Sequence, residues 1–179
     1  MYYYFASTLP MIHFDGSLPF SVEDFERDCE RLLSPRDYAQ IRIALGRPET
    51  AQAAHPALAG WQAFEQTLES ETIRVRAQQL GRNPAAEVRA EGGFDAGIAQ
   101  AVAQAFKTED LLEAQRLILR LKWDRLDELA LNQGFSLAAI LSYGLRLQIL
   151  EQLNAYKTRD GHTRLEEIME QASESVNAE

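Results

Sequence analysis

The chain has 179 residues, 46% of them hydrophobic, and a formal net charge of -9 at neutral pH. That size suits one domain with a sizeable core, and the composition is that of a globular rather than a disordered chain. The acidic balance leaves no cationic excess for a free nucleic-acid binder and disfavours contact with anionic lipid, so no nucleic-acid partner and no direct membrane insertion are expected.

The start, MYYYFASTLPMIHF, has neither the positive flank nor the long apolar stretch of a signal peptide. Nothing later approaches the ~18 consecutive apolar residues of a membrane span, and a cytoplasmic location is expected. Tyr2, Tyr3, Tyr4 and Phe5 suit a strand or a buried extended arm, or the beginning of a short helix, and Pro10 ends the segment either way. The rings either dock the amino terminus onto the helices or form an exposed patch for a partner.

Residues 13–19 read as a loop with an Asp15-Gly16 turn. Ser21 is the expected N-cap of the next helix, with Phe20 and Phe25 as a hydrophobic staple and Val22, Phe25, Cys29 and Leu32 on one face. Cys29 is the only cysteine. It permits no internal disulfide, fits a reducing compartment, and reads as a small core residue rather than a reactive thiol. The device recurs with Ser34 as cap, Pro35 at the first helical position and Leu33 with Tyr38 as staple; Gly46 and Pro48 stop that helix.

Pro56 opens a longer helix to about residue 80, with Gly81 as C-cap. Leu58, Trp61, Phe64, Leu68, Thr72 and Val75 form its apolar stripe, and Glu65, Glu69, Glu71, Arg74 and Arg76 a solvated face. Asn83-Pro84 starts a short helix that Gly92-Gly93 ends, and this glycine pair is the best candidate hinge. Ile98, Val102 and Phe106 mark a further helix.

Residues 108–156 form the most apolar and regular stretch. Thr108 is read as a cap, with Glu109 and Asp110 in the first turn near the positive end of the helix dipole. Leu111, Leu112, Ile118, Leu119, Leu126 and Leu129 give a wide apolar face. Gly134 ends the helix, and Phe135, Ser136 and Ile140 repeat the staple and cap. Two long helices across so short a loop pack antiparallel. A turn is expected at 159–161, then a capping box of Thr163 and Glu166 and a last helix carrying Leu165, Ile168, Met169 and Ala172.

The fold class predicted is mainly all-α: an antiparallel bundle of about seven or eight helices, with the amino-terminal extended arm as an option. Residues 1–92 form an amino-terminal helical part, 93–174 a carboxy-terminal part built on the 109–156 hairpin, and 175–179 a frayed tail, all in one compact domain.

No catalytic or cofactor signature emerges. His13, His55 and His162 are far apart without a cysteine cluster, so no metal site is expected. There is no glycine-rich phosphate loop, and Ser7, Ser142 and Cys29 lack a nucleophile context. Asp124, Asp127 and Glu128, among arginines on one helix, read as ion-pair members rather than acid and base. The stretch 124–150 has the outline of a helix-turn-helix, the alternative reading being a regulatory or adaptor module. The start of its second helix, however, holds Leu137, Ala138, Ala139, Ile140 and Leu141 where base-reading side chains would sit. Trp123 reads as a core anchor, the other option being an interface residue.

The run W-D-x-L-x-E-L at 123–129 with F-x-L-x-x-I-L-x-Y-x-L-R-L-Q-I-L-E at 135–151, together with YYYFASTLP and FDGSLPFSVEDF, is similar to an uncharacterised bacterial family encoded among V/A-type rotary ATPase genes. That family resembles, more distantly, the all-helical C-type protein of the ATPase central stalk (the d-type protein in eukaryotic complexes), which is roughly twice as long. The resemblance implies a non-catalytic, cytoplasmic component, without cofactor, that contacts axle or membrane-ring proteins of a proton- or sodium-translocating complex. The positions it singles out are Tyr2, Tyr3, Tyr4, Trp123, Asp124, Glu128, Tyr143 and Arg146.

Overall fold

The computed structural model describes residues 2–49, 52–83, 94–131 and 133–177, with side chains as far as Lys157. Among the described residues there are seven helices and no strand, so the chain is all-α. The helices are α1 (Tyr2–Thr8), α2 (Val22–Leu32), α3 (Pro35–Ala44), α4 (Pro56–Gln79), α5 (Ala96–Ala105), α6 (Leu111–Ala130) and α7 (Leu137–Asn177).

Local chemistry sets where most of them begin and end. Ser21 closes a full capping box with Asp24, whose carboxyl is held below the usual range by the Ser21 hydroxyl and backbone. Ser34 accepts from the Asp37 amide at 3.2 Å, with Pro35 following. His55 caps α4 through its ring, Nδ1 accepting from the Ala57 amide at 3.2 Å, and Pro56 occupies the first helical position. Gly46, Gly81 and Gly134 follow α3, α4 and α6 at positive φ, where a side chain would be strained.

One alternative is decided, and four expectations are corrected. Of the strand, extended arm or short helix open to the aromatic amino terminus, it forms the helix. The described part offers no sheet edge to pair it, whereas helical spacing turns Phe5 into the core and leaves Tyr3 and Tyr4 outside. The cap of α6 is Asp110 rather than Thr108: Asp110 accepts from the Leu112 amide at 2.8 Å, while the Thr108 hydroxyl donates back to the Gln104 carbonyl and finishes the preceding turn. Leu111 and Leu112 are exposed, because the first turn of α6 lies outside both cores. Helix α7 continues through 159–161 and as far as Asn177 without the expected turn, second cap or early fraying. One interior glycine costs a helix only about 1 kcal/mol, which flanking helix formers override. The expected 84–91 helix and the Gly92-Gly93 hinge lie outside the described residues.

The predicted hairpin is present: α6 and α7 form the most extensive helix pair. Gly60, near the start of α4, lies against Leu129 near the end of α6, so these two also run antiparallel. At the other end of α4, Gln79 Nε2 donates to the Phe106 carbonyl at 3.4 Å, so α4 and α5 run side by side in the same direction.

Two apolar clusters fill the interior. One gathers Phe14, Trp61, Phe64, Trp123 and Leu126; the other gathers Phe5, Phe25, Cys29, Ile41 and Leu58. Helix α7 belongs to both, giving Leu145, Ile149, Leu150 and Leu153 to the first and Leu137, Ile140, Leu141 and Leu147 to the second. Glu71, expected on a solvated face, is only 2% exposed, because α4 is covered by α5, α6 and α7 rather than on one side. Its carboxylate reaches Arg74 Nε at 3.4 Å.

Two substitutions on α7 probe this packing. Leu147→Ala should cost about 2–5 kcal/mol in chemical denaturation, since the side chain is fully buried. Gly144→Ala should also destabilise, by about 1–3 kcal/mol, although alanine is the better helix former. A Cβ there would sit 2.6 Å from Cε1 of Phe25, a ring with no room to move. A raised denaturation midpoint for Gly144→Ala would refute that close approach.

Candidate functional site

The stretches singled out in the sequence, the aromatic start, the 14–25 segment and the 123–151 hairpin, lie far apart along the chain and meet in space. Helix α1 sits over the start of α7. Phe5 stacks on Phe25 at 6.0 Å, Phe25 packs on Tyr143 at 5.7 Å, and Phe20 stacks on Tyr143 at 6.2 Å. Tyr2 Oη donates to Asp37 at 2.7 Å, which raises the pKa of its phenol. Tyr3 turns outward and meets Phe135 edge-on at 4.4 Å, in the turn between α6 and α7. The aromatic amino terminus therefore divides: Tyr2 and Phe5 dock, while Tyr3 and Tyr4 stay exposed.

The 10–20 loop crosses the hairpin next. Phe14 is buried edge-on against Trp123 at 5.7 Å, and the Arg120 guanidinium lies over Phe14 at 5.1 Å. Asp15 pairs with Arg116 at 2.6 Å. At the start of α2 the Val22 amide, otherwise without an acceptor, donates to Glu151 Oε1 at 2.8 Å. Loop, α2 and hairpin are thus bound by three aromatic contacts, an ion pair and a charge-assisted hydrogen bond.

Trp123 is a core residue, and Arg146 lies across its ring at 5.4 Å. The three acids near the end of α6 are ion-paired: Asp124 with Arg120 at 3.0 Å, Glu128 with Arg125 at 2.7 Å, and Asp127 with Arg146. Burial lowers the pKa of Arg146, and Asp127 partly offsets this. Tyr2, Tyr3, Tyr143, Trp123 and Arg146 come together around the amino-terminal half of α7. Asp124 and Glu128 instead border a separate cleft of about 490 Å³ between α4, α5 and α6. Its charged lining is already engaged, Asp95 by the amides of Gly97 and Ile98 and the others by their ion pairs.

Sequence reading did not single out Met11 or the exposure of Phe135. Met11 follows Pro10 in an uncharged run inside a loop, and that is the signal that marks it. The helix-turn-helix outline does not give a free reading face, since Leu137, Ala138, Ile140 and Leu141 are all buried. Among the described residues no group of three or more His, Cys, Asp or Glu side chains is placed to hold a metal ion, and no helix is long and apolar enough to cross a membrane.

No family model, curated protein or solved structure matches the chain.

Cys29 is buried beside Phe25 in the second cluster, and burial, with Asp28 and Glu26 nearby, pushes its thiol well above the ordinary 9.0. Native protein at pH 8 should leave it unmodified by a disulfide reagent, with full reaction in denaturant. The unfolded thiol ionises first as pH rises, so stability is flat below about pH 8 and declines above it, at up to about 1.4 kcal/mol per pH unit from this group. Cys29→Ala should flatten that decline between pH 9 and 10. Rapid native labelling, or an unchanged slope, would refute the buried thiol.

Proposed function

We propose that the protein is a non-catalytic, helical assembly component of a bacterial V/A-type proton- or sodium-translocating ATPase. Its place there is that of an accessory or central-stalk-like protein, similar to the C-type (d-type) stalk component. The observation that carries this reading is the convergence of YYYFASTLP, FDGSLPF and the 123–151 hairpin into one packed unit. Their polar groups are mostly engaged with one another, as in Arg116–Asp15, Arg146–Asp127 and Glu151 with the Val22 amide. Such a unit positions surfaces rather than reacting groups. At its outer edge stand exposed aromatic side chains of the kind that anchor protein interfaces.

The mechanism is mechanical. Helix α7 runs for 41 residues, about 60 Å at 1.5 Å per residue, and its first half is clamped by both cores. A load applied at the aromatic edge would pass along that helix with little deformation, because a close-packed interior transmits strain.

Tagged protein recovered from its native cell should bring down axle, ring or catalytic-head proteins of the ATPase in fixed proportion, identified by mass spectrometry. Recovery of none of them, from extracts in which the complex is otherwise intact, would overturn the assignment.

A further inference from the structure

The cleft of about 490 Å³ between α4, α5 and α6 is open to solvent, and small residues make its room: Gly60 and Ala63 on α4, and Gly97 at the start of α5. Phe64 and Ile98, both buried, give it an apolar floor. Phe94 also lines it and is 74% exposed.

The charges around this floor are one-sided. Three carboxylates, Asp95, Asp124 and Glu128, line the cleft against one guanidinium, that of Arg125. Asp124 and Glu128 are four residues apart on α6, so they are neighbours of like charge on one helix surface. Their side chains are 52% and 67% exposed, and Asp95 is exposed as well, so all three are open to an incoming group. The contacts that hold them each use one carboxylate oxygen: Oδ1 of Asp95, Oδ1 of Asp124 and Oε2 of Glu128. Exposed ion pairs within one helix are weak, and the chain as a whole carries -9, so the cleft keeps a negative potential.

An apolar floor under an acidic edge calls for an occupant with two parts. Lysine and arginine bring a cationic head on an apolar stem, and a bulky apolar neighbour fills the floor. Pockets for small molecules orient their ligand with polar groups set deep inside. Here the buried hydroxyl of the lining, that of Thr67, is already given to the Ala63 carbonyl at 2.9 Å. A second copy of the chain would bring its own -9 to an acidic surface.

We propose that this cleft docks a basic segment of a partner protein, in which a bulky apolar side chain adjoins a lysine or arginine. The apolar side chain lies over Phe64 and Ile98, in the room left by Gly60, Ala63 and Gly97, and the cation stands among Asp95, Asp124 and Glu128. The inference rests on the reading of the protein as an assembly component, and it names the chemistry by which one neighbour is held.

The test is a titration of the isotope-labelled full chain, followed by amide NMR, with the capped dipeptide acetyl-Leu-Lys-amide and its neutral counterpart acetyl-Leu-Gln-amide. Saturable shifts confined to residues around Gly60, Ala63 and Gly97 are expected. The Lys peptide should bind several-fold tighter in dilute salt, and its advantage should shrink at high salt. Asp124→Asn combined with Glu128→Gln, two exposed changes, should remove that advantage and leave the Gln peptide unaffected. Ala63→Leu, at an exposed position, fills the cleft and should weaken both peptides. Absence of saturable shifts, equal binding of the two peptides, or unchanged binding by Ala63→Leu would overturn the proposal. Butylamine binding where both peptides fail would make this a small-cation site. Concentration-dependent self-association that broadens these same residues would make the occupant a second copy. Either result overturns it. If the Lys peptide binds but no ATPase protein is recovered with the tagged chain, the cleft stands and the complex assignment falls; the opposite pair of results removes the cleft alone.

Discussion

The first half of α7 is apolar on nearly every side, and a helix of that kind has to be enclosed. Leu137, Ile140, Leu141 and Leu147 point into one cluster, and Leu145, Ile149, Leu150 and Leu153 into the other. Most of the remaining architecture follows from that requirement. Helices α1–α3 cover one side, and α4 and α6 the other. Gly144 lets the Phe25 ring come closer to the helix than any side chain would allow. The ladder of Phe5, Phe25, Tyr143 and Phe20 is built on that approach, and so is the seat of α1.

Polar contacts then fix how the surrounding elements sit. Arg47 with Glu26 and Lys122 with Glu65, both at 2.9 Å, join separate elements of a strongly acidic chain. Exposed pairs of this kind contribute little free energy, roughly 0–1 kcal/mol each. Their effect is to favour one arrangement of helices over close alternatives. Glu151 has a different weight: it satisfies an amide at the start of α2 from a position 129 residues away, tying that helix end to the middle of α7.

Much of the fold was legible because its punctuation is local. The caps at Ser21 and Ser34, Pro56 at the head of α4, the stops at Gly46 and Gly81, and the 108–156 hairpin all follow from side chains within a few residues of the boundary. What was not legible depends on distant partners. The aromatic start has strand-like residues, and as a helix it sets Phe5 against Phe25 and Tyr2 beside Asp37, partners distant in sequence. Glu71 looks solvated until α5, α6 and α7 close around its helix. At 159–161 an Asp-Gly pair suggests a turn, and the helix that arrives from Leu137 carries through it. The site was partly legible. Tyr143 and Arg146 could be picked out in the sequence, yet nothing local to them shows which distant rings and acids enclose them: Phe20 and Phe25 against Tyr143, Asp127 and Trp123 against Arg146.

The same enclosure decides what happens to the polar groups on α7. Among the described residues the Tyr143 hydroxyl and Arg146 Nε are buried without a hydrogen-bond partner. A buried donor of that kind costs on the order of 1–3 kcal/mol. Tyr143 offsets it with a ring packed against Phe20 and Phe25, and Arg146 with its ion pair to Asp127 and its place over the Trp123 ring. Both side chains stand on the segment of α7 shared by the two clusters. A helix so placed cannot shift without disturbing two cores at once, which makes it the stiffest element of the molecule.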